Sequence, residues 1–196
     1  MKRKILTALT VFAILTLVYY FFHAQIFFFI QSNPTTAKIY SEIAGKTLLG
    51  LFYISILSAL FFITLPAEIP FVYYLFLGNN PIVVAIIVLA GNAIGLAIDY
   101  LIGFVIGQEF VKRFLKEKYN KWHERVMKWG GVLVVIGNVI PSPIEVITVV
   151  FGGLRYPFLK LLKYSSLGRI LKFVILTIIY YLFASSIIPY VSAYFP

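Results

Sequence analysis

The sequence has 196 residues, of which 61% are hydrophobic and only 12% are charged, the composition of an integral membrane protein rather than a soluble domain. The formal net charge is +10, but the cations flank apolar segments that must lie in lipid. They therefore indicate orientation and lipid contact and argue against nucleic-acid binding. The absence of cysteine excludes disulfides and thiol chemistry. We predict an all-α integral membrane protein.

The N-terminal segment, residues 1–30, is predicted to be a retained transmembrane helix. Basic residues precede an apolar run over 5–22 that is too long for a signal peptide and lacks a small-residue cleavage site. Residues 31–46 are predicted to form a polar extracytoplasmic link. This link would connect the first helix to a membrane domain over 47–190.

The membrane domain is predicted to open with a re-entrant helical hairpin over 47–78. The only charge in this apolar run is Glu68, which lies between Pro66 and Pro70. A straight helix of this length would run about 45 Å, against about 30 Å for the hydrocarbon core of a bilayer, so the run should fold back. Prolines break helices, and broken backbone at membrane depth is tolerated where it lines a cavity or is buried in protein.

A continuous spanning helix is predicted over 81–108, with Asp99 as its only charge. Small residues recur at every fourth position around Asp99 and predict a face that another helix backbone can approach closely. These helix-packing residues are Gly91, Gly95, Gly103 and Gly107. Asp99 has two open interpretations: a hydrogen-bonded acid inside the packing face, or a group that takes part in ion coupling.

The charged segment 109–129 is predicted to be an amphipathic helix on the cytoplasmic membrane surface. Its lysines and arginines alternate with apolar residues at helical spacing. It contains both tryptophans of the chain, Trp122 and Trp129, which favour the headgroup level of a bilayer. His123 has no second candidate ligand nearby, so neither a metal site nor a cofactor is expected.

A second re-entrant hairpin is predicted over 130–154. Its apolar run contains one charge, Glu145, directly behind Pro141 and Pro143. The alternative is a kinked spanning helix in which Glu145 is a structural acid. An internal repeat argues against this alternative, because Pro-x-Glu occurs in both hairpins at an offset of 77 residues.

A last spanning helix is predicted over 170–188, and the distribution of charge predicts the topology. The N-terminus and residues 109–129 carry many of the cations, so both are predicted to be cytoplasmic and the C-terminus outside, in a multi-pass protein of the cell membrane. A single crossing then separates the two hairpins, which would enter from opposite faces as an inverted repeat. Such a repeat indicates a transport site near the bilayer midplane.

Several pieces of the sequence, in this order, resemble the DedA family, also called the VTT or SNARE-associated superfamily, over about residues 45–185. The pieces are Leu65-Pro66-Ala67-Glu68, Tyr100-x-x-Gly103-x-x-x-Gly107, residues 130–143, Gly152-Gly153-Leu154-Arg155-Tyr156-Pro157-Phe158 and Gly168-Arg169. The resemblance implies two inverted re-entrant hairpins. It also implies a role in lipid translocation, which in this family means polyprenyl-phosphate carrier recycling in prokaryotes and phospholipid scrambling in eukaryotes.

The chain departs from the family pattern near its second proline pair and in its first spanning helix. Asn138 and Ile144 stand in neighbourhoods where many bacterial members carry arginines, and Leu96 stands where the family has an acid, with Asp99 nearby. These departures leave proton coupling open. They predict a divergent branch of the family, for which we expect an archaeal source.

Two functions from different classes are hypothesised. In the first, the protein is a flippase- or scramblase-like translocator of an anionic, phosphate-bearing lipid. Its phosphate ligands would be Arg155 and Arg169, and its transport and gating acids would be Glu68, Glu145 and Asp99. In the second, it is a membrane scaffold or assembly factor without transport activity. An enzyme is not expected, because there is no metal cluster, Ser/His pair or nucleophile motif. The expected partners are membrane lipids with anionic headgroups, and a homo-oligomer is compatible with the sequence.

Overall fold

The computed structural model describes residues 32–63, 65–115, 119–140 and 144–194, and these are all helical or irregular, with no strand. The predicted N-terminal helix over 1–30 lies outside the described residues. Within them the chain forms seven helices, in the order α1 Pro34–Ala44, α2 Leu48–Ser58, α3 Glu68–Phe76, α4 Pro81–Leu115, α5 Tyr119–Val139, α6 Ile144–Gly153 and α7 Phe158–Tyr194.

The chain divides into two compact units, one ending at Gly50 and the other beginning at Leu51. The described part of the first unit contains α1, where the sequence predicted only a polar link. The helix forms because Asn33 accepts a hydrogen bond from the Thr35 amide at 2.9 Å and Pro34 occupies the first helical position. The second unit contains the features that follow.

Both predicted hairpin segments are interrupted helices. In the first, α2 ends at Ser58 and α3 begins at Glu68, so the irregular stretch between them contains Pro66. Pro70 was predicted as a second break but lies in the first turn of α3, where a missing N–H leaves no helical hydrogen bond unmade. In the second, α5 ends at Val139 and α6 begins at Ile144. The predicted breaks Pro141 and Pro143 lie outside the described residues.

The helix boundaries after residue 107 differ from the prediction. The segment predicted as one surface helix over 109–129 is divided between the end of α4 and the first half of α5. The last helix, α7, begins at Phe158, well before the predicted start at 170, and continues beyond the predicted end to Tyr194. A proline directly before this helix and the leucines and lysines of its first turns favour the earlier start.

Within the part of the chain that the structure describes, two helical segments are long and apolar enough to cross a membrane, Pro81–Val105 in α4 and Phe158–Phe183 in α7. Many large apolar side chains on them are exposed, including Ile82, Ile86 and Leu182. An exposed apolar surface on a spanning helix is what contact with acyl chains requires.

The backbone repeats itself with the offset of 77 residues that the Pro-x-Glu pieces indicated. Helices α4 and α7 begin at Pro81 and Phe158, which are separated by this offset. The turns before them correspond as well: Gly78 (φ 80°) and Arg155 (φ 59°) are both left-handed. The Gly78 amide donates to the Leu75 carbonyl at 2.9 Å, and the Arg155 amide donates to the Gly152 carbonyl at 3.0 Å. Both short helices therefore end in the same Schellman-type turn.

The first half of the repeat consists of α2–α4 and the second half of α5–α7. Each half contributes one residue to the apolar core of the other. One apolar core consists mainly of first-half residues together with Phe173 from α7, and the other consists mainly of second-half residues together with Leu96 from α4. Leu96 and Phe173 are again 77 residues apart. The short helices follow the same exchange, because α3 packs on α7 and α6 packs on α4. Each half completes the core of the other.

Candidate functional site

A cavity of about 430 Å³ lies where the two interrupted helices meet the spanning helices α4 and α7. Its wall brings together the starts of α3 and α6 with polar side chains from α2, α4, α5 and α7. The polar residues of the wall are Ser58, Glu68, Asn92, Asn138, Glu145, Arg169 and Lys172. The two Pro-x-Glu acids, which are distant in sequence, therefore face one common space.

The first acid, Glu68, pairs with Lys172 of α7, whose Nζ donates to Glu68 Oε1. The two side chains are only partly accessible, with 27% exposure for Glu68 and 16% for Lys172. The pair joins the start of α3 to the middle of the last spanning helix. It is the charged contact between α3 and α7 at the cavity, beside the stacked rings of Phe71 and Phe173.

The second acid, Glu145, faces Arg169, with 3.9 Å between Glu145 Oε1 and Arg169 Nη2. The guanidinium is buried and is oriented by Asn138, because Arg169 Nε donates to Asn138 Oδ1 at 2.9 Å. Asn138 in turn donates from Nδ2 to the Val134 carbonyl at 2.8 Å and accepts from the Ser165 hydroxyl at 3.4 Å. Among the described residues Arg169 therefore has one short hydrogen bond and one long ion pair, although a guanidinium carries five N–H donors.

Two further polar side chains of α4 are buried near this cluster. Asn92 lines the cavity and is 1% exposed, yet within the described residues neither its amide nitrogen nor its oxygen has a hydrogen-bond partner. Asp99 does not line the cavity. Its Oδ1 accepts from the Phe61 amide at 3.2 Å, and its Oδ2 has no partner among the described residues. Since buried polar groups are normally hydrogen-bonded, we expect water or a polar ligand in the cavity to form hydrogen bonds with the Asn92 side chain.

The two predicted phosphate-binding arginines do not share a site. Arg169 lines the cavity, whereas Arg155 is exposed in the turn after α6. Its guanidinium lies over the ring of Phe104, 3.4 Å from the ring centroid. The cavity instead contains Lys172 as its second cation.

The predicted glycine face has three close helix contacts and one exception. A Cβ on Gly91 would lie 2.7 Å from Ser55 Cβ in α2, and a Cβ on Gly95 would lie 2.6 Å from Ala59 Cβ. A Cβ on Gly103 would overlap the Val149 carbonyl of α6. Gly107 has no neighbour within 4 Å of an added Cβ, and its φ of 81° interrupts the helix. Gly107 is therefore needed for backbone geometry rather than for packing.

The predicted surface tryptophans both lie on α5 with large exposed areas, 43% for Trp122 and 57% for Trp129. Each lies beside a cation on the same helix: Arg125 is 5.9 Å from the ring of Trp122, and Lys128 is 5.7 Å from that of Trp129. This pairing of exposed indole rings and cations is typical of a helix at the headgroup level.

Reasoning from the sequence missed Lys172 and Asn92 as parts of the site. The signal for Lys172 was its spacing, because Ser165, Arg169 and Lys172 recur every three or four residues and so share one face of α7. The signal for Asn92 was a polar side chain in an otherwise apolar spanning segment. Asn138 was noted only as a departure from the family pattern.

The fold and the site together define an all-helical membrane protein in which two interrupted helices and two spanning helices enclose a cavity with paired charges. Comparison with known proteins identifies the group. The chain belongs to the VTT domain (DedA) family, whose domain matches residues 65–182. An uncharacterized protein of the archaeon Methanocaldococcus jannaschii is 29% identical over 108 residues, which cover 55% of this chain and 68% of the relative. This similarity is consistent with a divergent archaeal branch. No solved structure matches the chain.

Proposed function

We propose that this protein is a lipid translocator, flippase- or scramblase-like, for an anionic phosphate-bearing lipid such as a polyprenyl phosphate or a phospholipid. The observation that carries the proposal is the cavity in which both Pro-x-Glu acids face two cations of α7. Family membership supports the same function, because DedA proteins are often proposed to be lipid flippases.

The headgroup phosphate would bind to the cations of α7. Arg169 is the better ligand, because its planar guanidinium suits bidentate contact with phosphate and its ion pair with Glu145 is long at 3.9 Å. Lys172 would contribute a second, point-like charge after leaving Glu68. If the two interrupted helices are re-entrant from opposite faces, the headgroup crosses through the cavity while the tails stay in the bilayer.

Charge balance gives this mechanism an ionic requirement. The four ionisable residues of the cavity wall, Glu68, Glu145, Arg169 and Lys172, have a formal net charge of zero. A phosphate would add negative charge to a partly dehydrated space, which is unfavourable unless a proton or a cation enters with it. We therefore expect translocation to be proton- or ion-coupled, with a cavity glutamate as the proton acceptor.

The test is translocation of fluorescent lipids in proteoliposomes, using a panel of phosphate-bearing lipids. Arg169→Gln should abolish most of the activity of the wild-type protein, whereas Lys121→Gln, which removes an exposed cation on α5, should not. Glu68→Gln and Glu145→Gln should keep the fold, because the side-chain shape is nearly unchanged, but should alter the rate and weaken its dependence on pH. Thermal unfolding of each variant separates loss of transport from loss of structure.

Two results would contradict parts of this proposal. Wild-type translocation no faster than in empty liposomes, for every lipid of the panel, would refute the translocator and favour a membrane scaffold without transport. Unaltered translocation by Glu68→Gln and Glu145→Gln, together with a lowered stability, would assign both acids a structural role only.

A further inference from the structure

Arg155 occupies a backbone position that ordinarily belongs to glycine. Its φ of 59° lies in the left-handed region, and the repeat has Gly78, with φ 80°, at the corresponding position. Both turns make the same backbone hydrogen bonds, so the turn itself does not require an arginine. A side chain kept at an unfavourable backbone conformation points to a use for that side chain.

A hydrogen bond to α4 fixes the turn after α6, which contains Arg155. The Tyr100 hydroxyl donates to the Tyr156 carbonyl at 2.9 Å, which ties the residue after Arg155 to this helix. The Arg155 guanidinium then stacks on Phe104, which is 40% exposed. Within the described residues no carboxylate forms an ion pair with Arg155. Stacking uses the face of a guanidinium and leaves the N–H donors, which lie in its plane, able to bind an anion.

An apolar groove of about 350 Å³ lies on the same helix as Phe104. It is lined by Ile98, Leu101, Ile102 and Val105. Leu101 lines the groove and lies one helical turn before Phe104, so their side chains are neighbours on the surface of α4. The exposed Lys160 in the first turn of α7 adds a second positive charge close in sequence to Arg155. A cation beside an exposed apolar groove complements a molecule with an anionic head and an apolar chain.

We infer that Arg155, Phe104 and the groove Ile98–Leu101–Ile102–Val105 form a surface binding site for one anionic phospholipid. The lipid phosphate binds the guanidinium edge of Arg155, and an acyl chain lies along the groove. This site is separate from the cavity of Arg169 and does not depend on the translocator proposal. It holds a lipid at the rim of the membrane domain whether or not lipids cross it.

The experiment is native mass spectrometry of the full chain in detergent, titrated with palmitoyl-oleoyl phosphatidylglycerol or with the zwitterionic palmitoyl-oleoyl phosphatidylcholine. The wild-type protein should retain one phosphatidylglycerol, and Arg155→Gly should weaken its binding by about tenfold or more, the effect of losing a charged hydrogen bond. Glycine suits the left-handed backbone, so this variant should fold, and Arg155→Asn provides a second residue tolerated there. Leu101→Ala should weaken binding as well, whereas Ile86→Ala, an exposed change on the same helix, should not.

The controls separate this site from other sources of binding. Arg169→Gln should leave in place the lipid that Arg155→Gly loses, even if it abolishes translocation and lipid binding in the cavity. Millimolar inorganic phosphate should fail to displace the lipid, because the acyl chain contributes to binding. Equal retention of the two lipids, equal retention by wild type and Arg155→Gly, or loss of the lipid in Arg169→Gln would each overturn the inference.

Discussion

The ion pair between Glu68 and Lys172 should stabilise the fold, and a double-mutant cycle can measure by how much. Glu68→Gln keeps the shape of the side chain and removes its charge. Lys172→Met keeps most of the aliphatic stem and removes the ammonium group. Each single variant leaves one charge without its partner inside the protein, while the double variant leaves none.

The expected magnitude follows from the partial burial of the pair. Removing one partner of a fully buried pair costs about 3–5 kcal/mol, and an exposed pair is worth about 0–1 kcal/mol. With exposures of 27% for Glu68 and 16% for Lys172, this pair lies between these cases. We expect each single change to lower the free energy of unfolding by about 1–3 kcal/mol, and the double change to cost about 1–2 kcal/mol less than the sum of the two.

The assay is equilibrium unfolding in mixed micelles, followed by the fluorescence of Trp122 and Trp129. Lys163→Met is the matched control, because Lys163 is an exposed lysine on the same helix, and it should change stability little. Additivity of the two single changes within about 0.3 kcal/mol would refute the reasoning, because independent residues behave in that way. The ion pair between Glu68 and Lys172 would then not contribute to stability.

Three further predictions follow from single contacts. Gly103→Ala should destabilise the protein by about 1–3 kcal/mol, because the added methyl group meets backbone of α6, whereas Gly78→Asn, in the left-handed turn after α3 with nothing within 4 Å of an added Cβ, should cost less; thermal unfolding in detergent compares them. Asn92→Leu should leave the melting temperature unchanged or raised, because no hydrogen bond to another described residue is lost, yet should lower lipid translocation in proteoliposomes; a lowered melting temperature would contradict this. Cysteines at Lys121 and Ala193 should react with impermeant reagents from opposite sides of the membrane, and labelling from one side would contradict the predicted topology.

The features that could be predicted from the sequence are those fixed by local chemistry. An apolar run too long for one crossing, interrupted by proline, predicts two helices with a break, and such breaks occur after Ser58 and after Val139. The offset between the two Pro-x-Glu pieces also recurs in the backbone, because it reflects the spacing of the helices themselves. The start of α7 was predicted too late because its first turns are basic, and lysine is a good helix former whatever its charge.

The composition of the site could not be predicted in the same way, because it depends on contacts between distant segments. Glu68 and Lys172 meet only because the short helix of the first half packs on the last helix of the second half. A search for residues near Pro-x-Glu in the sequence selects Arg155, which is ten residues from Glu145 but lies outside the cavity. Exchange of elements between halves is a property of the tertiary fold, and no local pattern encodes it.

The repeat is symmetric in backbone but not in charge, and this difference concerns the mechanism directly. Each half contributes one acid to the cavity, yet both cations come from α7. In α4, Asn92 and Gly95 stand at the positions that correspond to Arg169 and Lys172. A single helix therefore holds both interrupted segments by ion pairs, one to Glu68 and one to Glu145. An anion that binds α7 competes with both acids at once, so a headgroup that enters from either side would loosen both segments together.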